Sequence, residues 1–465
     1  MRNWTVALAA LALAGSPAFA ADALGLKNIS TDGSIEVLGV SANNEQDYSD
    51  PANDHRGDTV TRVRVGLSAD VTEDVKARVE AVRNPSTTSA AQYGNAARPT
   101  DLNTEQSAFK FQNAYLDLSN FLSLDSVRLG RQYVGRANDA IVYFGPVNDD
   151  LLGVSALDAL AVSKKVGPVT LLGVTGKVSD DDVIATTSTA TDAGDTAGDV
   201  NASWITASSD ELIKLKDLKV PLEIGYYSMT NSNAAATSDN ANLSIIDLRA
   251  GVQCPKDSFK VMLEYAMNGG QQNAGATKTK FKGSLLLLTA YWKGEDNAYG
   301  VHADFASASG DDTADTNDKS FHDIAGDYRW GEILSNDNVA DVGVGFDSGA
   351  QGPGLNIVKI GGHYVLPVVD KKVSLHADYI MAKTSKSVTL AGGTSKKIGN
   401  EIDLAVKYKH SDNVMAKVGY AMLSPDDVLT GGGSAQDDQV SKAFAKLLVK
   451  WGNNSRYNRF SSRYL

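Results

Sequence analysis

The chain has 465 residues, a net charge of −12, six histidines and a single cysteine, Cys254. The acidic balance excludes nucleic acid as a partner, because a phosphate backbone needs a basic face. One thiol excludes an internal disulfide framework, and beyond the N-terminal leader no run has the apolar length of a membrane helix.

The N-terminus reads first. Met1-Arg2-Asn3 is a short basic start, Trp4 to Ala14 is apolar, Gly15-Ser16-Pro17 breaks the run, and Ala18-Phe19-Ala20 places small residues where a signal peptidase cuts. This predicts a secretory signal peptide over 1–20, followed by a periplasmic segment over 21–32. Downstream, the repeating unit is a segment of about ten residues with alternating apolar and polar positions, the pattern of a transmembrane strand. In Glu401 to Lys409, Ile402, Leu404, Val406 and Tyr408 share one face, and Glu401, Asp403 and Lys407 the other. Val373 to Met381 and Val414 to Met422 repeat the rule.

In chain order, strands are predicted near 33–43, 58–69, 75–83, 108–118, 126–134, 156–165, 168–177, 202–209 and 219–229. The second half continues near 242–252, 259–268, 283–293, 297–306, 353–365, 372–383, 399–409, 414–423 and 440–451. Segment 283–293 is irregular, because Leu285 to Leu288 is a continuous apolar run. Connections alternate between tight turns, such as Val71 to Asp74 and Gly167-Pro168, and long loops at 84–107, 135–155, 178–201, 307–352 and 424–439. The fold class is therefore all-β: a transmembrane antiparallel β-barrel of about eighteen strands over 33–452, with short periplasmic turns and long extracellular loops. An even count places both termini in the periplasm, with 453–465 left as a C-terminal tail. A soluble sandwich or solenoid also alternates, but does not call for loops of alternating length or aromatic residues at strand ends.

Alternation assigns the lumen face. Arg62, Arg64, Lys76, Arg78, Glu80, Tyr115, Asp117 and Arg128 fall on it, whereas Arg131 falls on the opposite parity. A charge on the lipid face costs about 2–4 kcal/mol at mid-membrane, so sidedness is enforced. Loop 135–155 carries apolar stretches, Ala140 to Phe144 and Leu151 to Val154, that need a surface to pack on. Folded inward, it would narrow the bore with Arg136, Asp139, Asn148, Asp149 and Asp150 at an eyelet, Asp149 and Asp150 facing the early-strand arginines.

Phe111-Gln112-Asn113-Ala114-Tyr115-Leu116-Asp117-Leu118, followed by Val127-Arg128-Leu129-Gly130-Arg131-Gln132, resembles the early strand pair of outer-membrane porins, especially the eighteen-stranded alginate-export type. Ala306 to Asp312, with Phe321 and Gly326-Asp327, is similar to that family's Ser-Gly-Asp loop, which opens its longest extracellular excursion. The resemblance implies an outer-membrane porin whose loop after the Gly-Arg-Gln strand enters the lumen. One departure is the C-terminus, where Gly452 to Leu465 follows the last predicted strand instead of a closing aromatic residue.

These readings predict a passive diffusion channel for small polar or charged solutes. A polysaccharide exporter and an outer-membrane barrel hydrolase are the alternatives. The implied partners are outer-membrane lipid, small solutes or ions and the outer-membrane assembly machinery, with monomer and homotrimer both open. No cofactor, metal or catalytic residue is assigned. The pairs His302–Asp304 and His376–Asp378 lack a serine in a recognisable elbow, and Asp311, Asp312, Asp315 and Asp318 do not have the spacing of a calcium loop and read as a solvated acidic loop.

Overall fold

A computed structural model describes residues 26–45, 48, 55–83, 109–148, 150, 152–179, 199–213, 215, 217–232, 241–254, 258–274, 277–312, 316–335, 342–343, 345–349, 351–432 and 438–452. The leader 1–20, loop 84–107, most of loop 178–201, Asp149 and the tail 453–465 lie outside the described residues.

The wall begins with β1 (Lys27–Asn43), β2 (Arg56–Asp70), β3 (Val75–Arg83), β4 (Lys110–Ser119), β5 (Ser126–Gln132) and β6 (Leu157–Val166). It continues with β7 (Val169–Ser179), β8 (Asp199–Ser209), β9 (Leu222–Ser232), β10 (Ala241–Gln253), β11 (Phe259–Ala274) and β12 (Ser284–Lys293). It ends with β13 (Tyr299–Ala308), β14 (Leu355–Val365), β15 (Val373–Leu390), β16 (Gly393–Lys409), β17 (Val414–Pro425) and β18 (Val440–Trp451). Each strand pairs antiparallel with the next, and β1 pairs with β18 from Gly33 opposite Trp451 to Asn43 opposite Ser441, which closes the barrel. This closed eighteen-stranded antiparallel barrel leaves the wall no free edge, unlike a sandwich or solenoid. Two short strands, Thr277–Phe281 and Asn317–Asp318, extend the sheet at its loop end.

The alternation resolves into an oily outside and a charged inside. Leu375, Tyr379, Ile402, Leu404, Val406, Val418 and Tyr420 are exposed on the outer face, while Glu36, Arg62, Arg78, Glu80, Asp247, Glu401 and Asp403 are buried within. Arg131 sits on the outer face near the loop end, paired with Asp158 at 2.8 Å. The run Leu285 to Leu288 also finds its reason. Leu288 is exposed to the outside, whereas Leu285 and Leu287 are fully buried in the cluster that contains Phe321, Ile324, Trp330 and Leu334. Both faces of this strand are apolar because one belongs to the exposed apolar outer face and the other meets a loop folded into the bore.

Candidate functional site: a bore crossed by two loops

The loop between β5 and β6, residues 133–156, spans the lumen. A two-residue hairpin, Val134–Gly135 against Tyr143–Phe144, gives it internal structure. At one end Arg249 of β10 donates two hydrogen bonds to the carboxylate of Asp139, each 3.0 Å, while also meeting Asp247 and Glu264. At the other end Leu152 is buried among Leu38, Val40, Ala42, Val60 and Phe444, lumen-facing residues of β1, β2 and β18. Arg62 donates to the carbonyls of Val147, Leu152 and Gly153 at 2.7, 3.1 and 3.0 Å, and to Glu36 at 2.8 Å. Asp150 accepts from Arg56 and from the fully buried Lys442, both at 2.6 Å. Burial alone would raise the Asp150 pKa, but Lys442, Arg56 and Arg329 outweigh it and hold the carboxyl below its ordinary value.

A second loop, between β13 and β14, also turns inward. As a wholly extracellular excursion, the expectation for 307–352 was wrong, and the reason is its apolar content. Tyr328, Trp330 and Phe346 form an aromatic cluster with ring centroids 4.5 to 5.3 Å apart, and Ile333 and Leu334 are fully buried. Wall carboxylates catch its backbone: Ile333 and Leu334 donate their amides to Glu401 at 2.7 and 2.8 Å, and Glu332 donates its amide to Asp403 at 3.1 Å. Gly331 makes this possible, since a Cβ there would lie 2.3 Å from the Glu401 carboxylate. Lys417 pairs with the Glu332 side chain at 2.6 Å. The two loops join where the Val142–Ala325 bridge forms and the Asp327 amide donates to the Asp139 carbonyl at 2.9 Å. Asp311 and Asp318 belong to this packing. Both are buried, and they accept the amides of Lys319 and Ser320, so they are not a solvated acidic loop.

The residues singled out from sequence are placed as follows. Arg62 is a loop anchor. Arg78 lies in a buried network with Asp32, Ser68 and Glu80, and Tyr133 donates its hydroxyl to Glu80 at 2.7 Å. Arg128 pairs with Asp117 at 2.7 Å and sits 4.4 Å over the Tyr115 ring. Arg64 donates to Ser34, Lys76 is exposed near Asp70, and Arg136 pairs with Glu223 rather than reaching the early strands. The partners of Asp150 are likewise different from those expected: Arg56 and Lys442 hold it, not Arg64, Arg78 or Arg128. Both had a sequence signal, since each has lumen parity, but neither was ranked.

Strand register assembles a further feature. Lys407 of β16 lies directly opposite Lys417 of β17, which lies opposite Lys446 of β18. Like charges side by side in a ladder repel, and two of the three have counter-charges: Glu332 for Lys417, and Glu36 at 3.3 Å for Lys446. The Lys407 ammonium has no hydrogen-bonding or ion-pairing partner among the described residues. The histidines regroup as well. His302 pairs across two strands with Asp378 at 2.9 Å rather than with Asp304, because Gly361 between them carries no side chain. Ser374 Oγ lies 2.9 Å from His376 Nε2, so a hydroxyl does stand beside this imidazole. Asp378 is engaged by His302 and Lys359 and is not the third member of a triad.

No protein family and no curated protein matches the sequence. Solved structures share the fold. The chain is similar to OpdO of Pseudomonas aeruginosa, with 12% identity, 92% of this chain and 98% of that chain covered and a TM-score of 0.54. It is similar to OccD3 (OpdP) of the same organism, with 11% identity, coverage of 92% and 94% and a TM-score of 0.52. It is also similar to OpdK of P. aeruginosa solved with vanillate, with 9% identity, coverage of 91% and 98% and a TM-score of 0.53. The chain thus shares the barrel fold of these structures.

Proposed function

We propose that the chain is a passive diffusion channel of the outer membrane for small polar or charged solutes. The observation that carries this reading is a closed barrel, apolar outside and charged inside, whose bore is narrowed by two loops held by buried ion pairs. A plain hydrophobic plug would seal such a bore; a plug clamped at points along the wall leaves polar wall between the clamps for water and solute. The long-loop end faces outward and the tight turns face the periplasm, reached by a chain exported on leader 1–20 and folded by the assembly machinery. Lys407, Lys417 and Lys446, with Arg64 and Lys450 nearby in register, favour small anions. The vanillate held by one similar barrel is a small carboxylate and fits that class.

The finer resemblance to the alginate-export type rests on the short matches quoted above, and a bore crossed by two anchored loops does not favour a passage for a long polyanion. Turnover is not part of this reading either. Among the described residues the Ser374–His376 pair has no carboxylate hydrogen-bonded to the imidazole, and its strand amides are committed to the ladder instead of forming an oxyanion hole.

Purified protein in planar bilayers should form stable ohmic channels with a reversal potential of anionic sign in a salt gradient. An inserted protein that does not conduct would overturn the channel reading. Covalent labelling of Ser374 by a fluorophosphonate, lost in His376→Ala, would overturn the non-enzymatic part.

A further inference from the structure

The hairpin of β15 and β16 rises beyond the barrel rim, and its base carries lysines on the lipid side. Lys383 and Lys397 are directly opposite in the ladder. Lys383 has the parity of Tyr379 and Met381, outward residues of the apolar belt, and a bulge at Ile398–Gly399 turns Lys397 onto the same outward face as Ile402; both lysines are exposed. Lys383 lies two residues beyond Met381, roughly 7 Å along the strand, so its ammonium stands one row above the last exposed apolar residue of this strand. The same outward row continues with Asn356 opposite Lys383 and Ser307 opposite Asn356. Ser307 donates to Asn356 at 2.7 Å, and Asn356 donates to Ser385 at 2.7 Å, so the polar floor beside the lysines is ordered.

A like-charged pair directly opposite in a ladder is destabilising unless something neutralises it. The counter-charge present is partial. Asp426, half-buried, lies 3.6 Å from the exposed Lys397 and also caps the short helix Asp427–Thr430. Lys383 has no ion-pairing partner among the described residues. On the same hairpin Lys386 meets Asp312 and Lys396 donates to the Ser385 carbonyl, so two further cations flank the pair. Two ammonium groups side by side match the double negative charge of a phosphomonoester and its several acceptor oxygens. Free phosphate has the same chemistry. The height of the pair selects between the two sources, because a group one row above an apolar belt meets the headgroup layer rather than bulk water.

We propose that Lys383 and Lys397 form a binding site on the outer wall for a phosphate group of the outer-leaflet glycolipid. The inference rests on the outward orientation of the long-loop end given above. Binding would tether the barrel to the leaflet that surrounds it and neutralise the cross-strand repulsion at the root of the hairpin.

The test uses the full chain refolded in detergent and compares phosphorylated with dephosphorylated lipid A, with bound lipid read by native mass spectrometry. The parent should retain phosphorylated lipid A, and Lys383→Ala combined with Lys397→Ala should lower that retention roughly tenfold, about what losing one charge-assisted contact costs. Lys383→Arg with Lys397→Arg should restore it. Equal retention of dephosphorylated lipid A, or unchanged retention in the double alanine variant, would overturn the site. Saturation by inorganic phosphate alone, with no preference for lipid A, would overturn its assignment to lipid. The conductance of the same variants, measured in parallel, should stay at the parental value. A parent that binds lipid but does not conduct instead refutes the channel reading.

Discussion

Arg62 was selected from sequence as a charge facing solute, but its partners give it another task. Its guanidinium serves three loop carbonyls and Glu36 at once, a geometry that five fixed donors can supply and an ammonium cannot. Arg62→Ala should therefore act through the loop. It leaves Glu36 short of a partner and three carbonyls unserved, at about 3 kcal/mol for breaking a buried pair. Single-channel recordings should show larger, noisier conductance, and Arg62→Lys should not restore the parental trace. Lys407 presents the contrasting case, since no counter-charge among the described residues holds it. Lys407→Glu should move the reversal potential toward cations with little change in thermal stability. An unchanged reversal potential would remove Lys407 from the selective wall.

The two inward loops are held by charges whose protonation sets their stability. Burial alone would raise the Glu332 pKa, yet Lys417, Arg329 and Lys442 outweigh it and hold the carboxyl far below its ordinary value of 4.5. Asp150 is held low in the same way. A depressed carboxyl contributes stability that is complete above the ordinary value and lost as pH falls below it. Acidification should therefore weaken the hold on the loops progressively, from the ordinary values of 4.5 for Glu332 and 3.8 for Asp150 downward, and raise conductance only well below them, with the parental level recovered on return to neutrality. His322 works in the opposite direction. Burial lowers its pKa, but Asp347 and Asp318, each 3.1 Å from a ring nitrogen, outweigh that and raise it above 6.5. Its contribution is present below the ordinary value and fades as pH rises through the raised one. Amide exchange in segment 316–324 should accelerate on the alkaline side, and His322→Gln should flatten that dependence. Trp330→Ala tests the second loop by packing. Emptying a fully buried site of this size costs about 3–5 kcal/mol, and flicker in the open state should increase without a shift in selectivity.

At the scale of the molecule, the ladder closed by β1 and β18 leaves no free edge, so the barrel should resist detergent. Unheated protein should migrate faster than boiled protein on gels, with a β-dominated circular dichroism spectrum. Removing Ile141 to Leu151 should raise single-channel conductance while leaving that migration shift intact, because the wall does not depend on the loop for its hydrogen bonds. A variant that lost the shift would show that the wall needs its plug to close.

The sequence by itself determined the wall. A period of two is a local property, and the cost of a charge in hydrocarbon enforces it strand by strand. Ile402, Leu404 and Val406 therefore announced the outside, and Arg62, Arg78 and Asp117 the inside, without knowledge of their neighbours. Alternating turn and loop lengths then supplied the even count. The apolar stretch around Ile141 also signalled that its loop needs a surface. Tertiary structure decided everything that depends on which strands and loops meet. Parity says that Lys407, Lys417 and Lys446 face the lumen, but only register makes them neighbours. Local order pairs His302 with Asp304, whereas strand pairing across Gly361 gives it Asp378. The inward turn of Trp330 to Leu334 depends on Glu401 and Asp403, about seventy residues away, catching its amides. Side-chain sidedness is fixed within a few residues of chain, but partners are fixed by closure of the barrel, which joins segments more than four hundred residues apart.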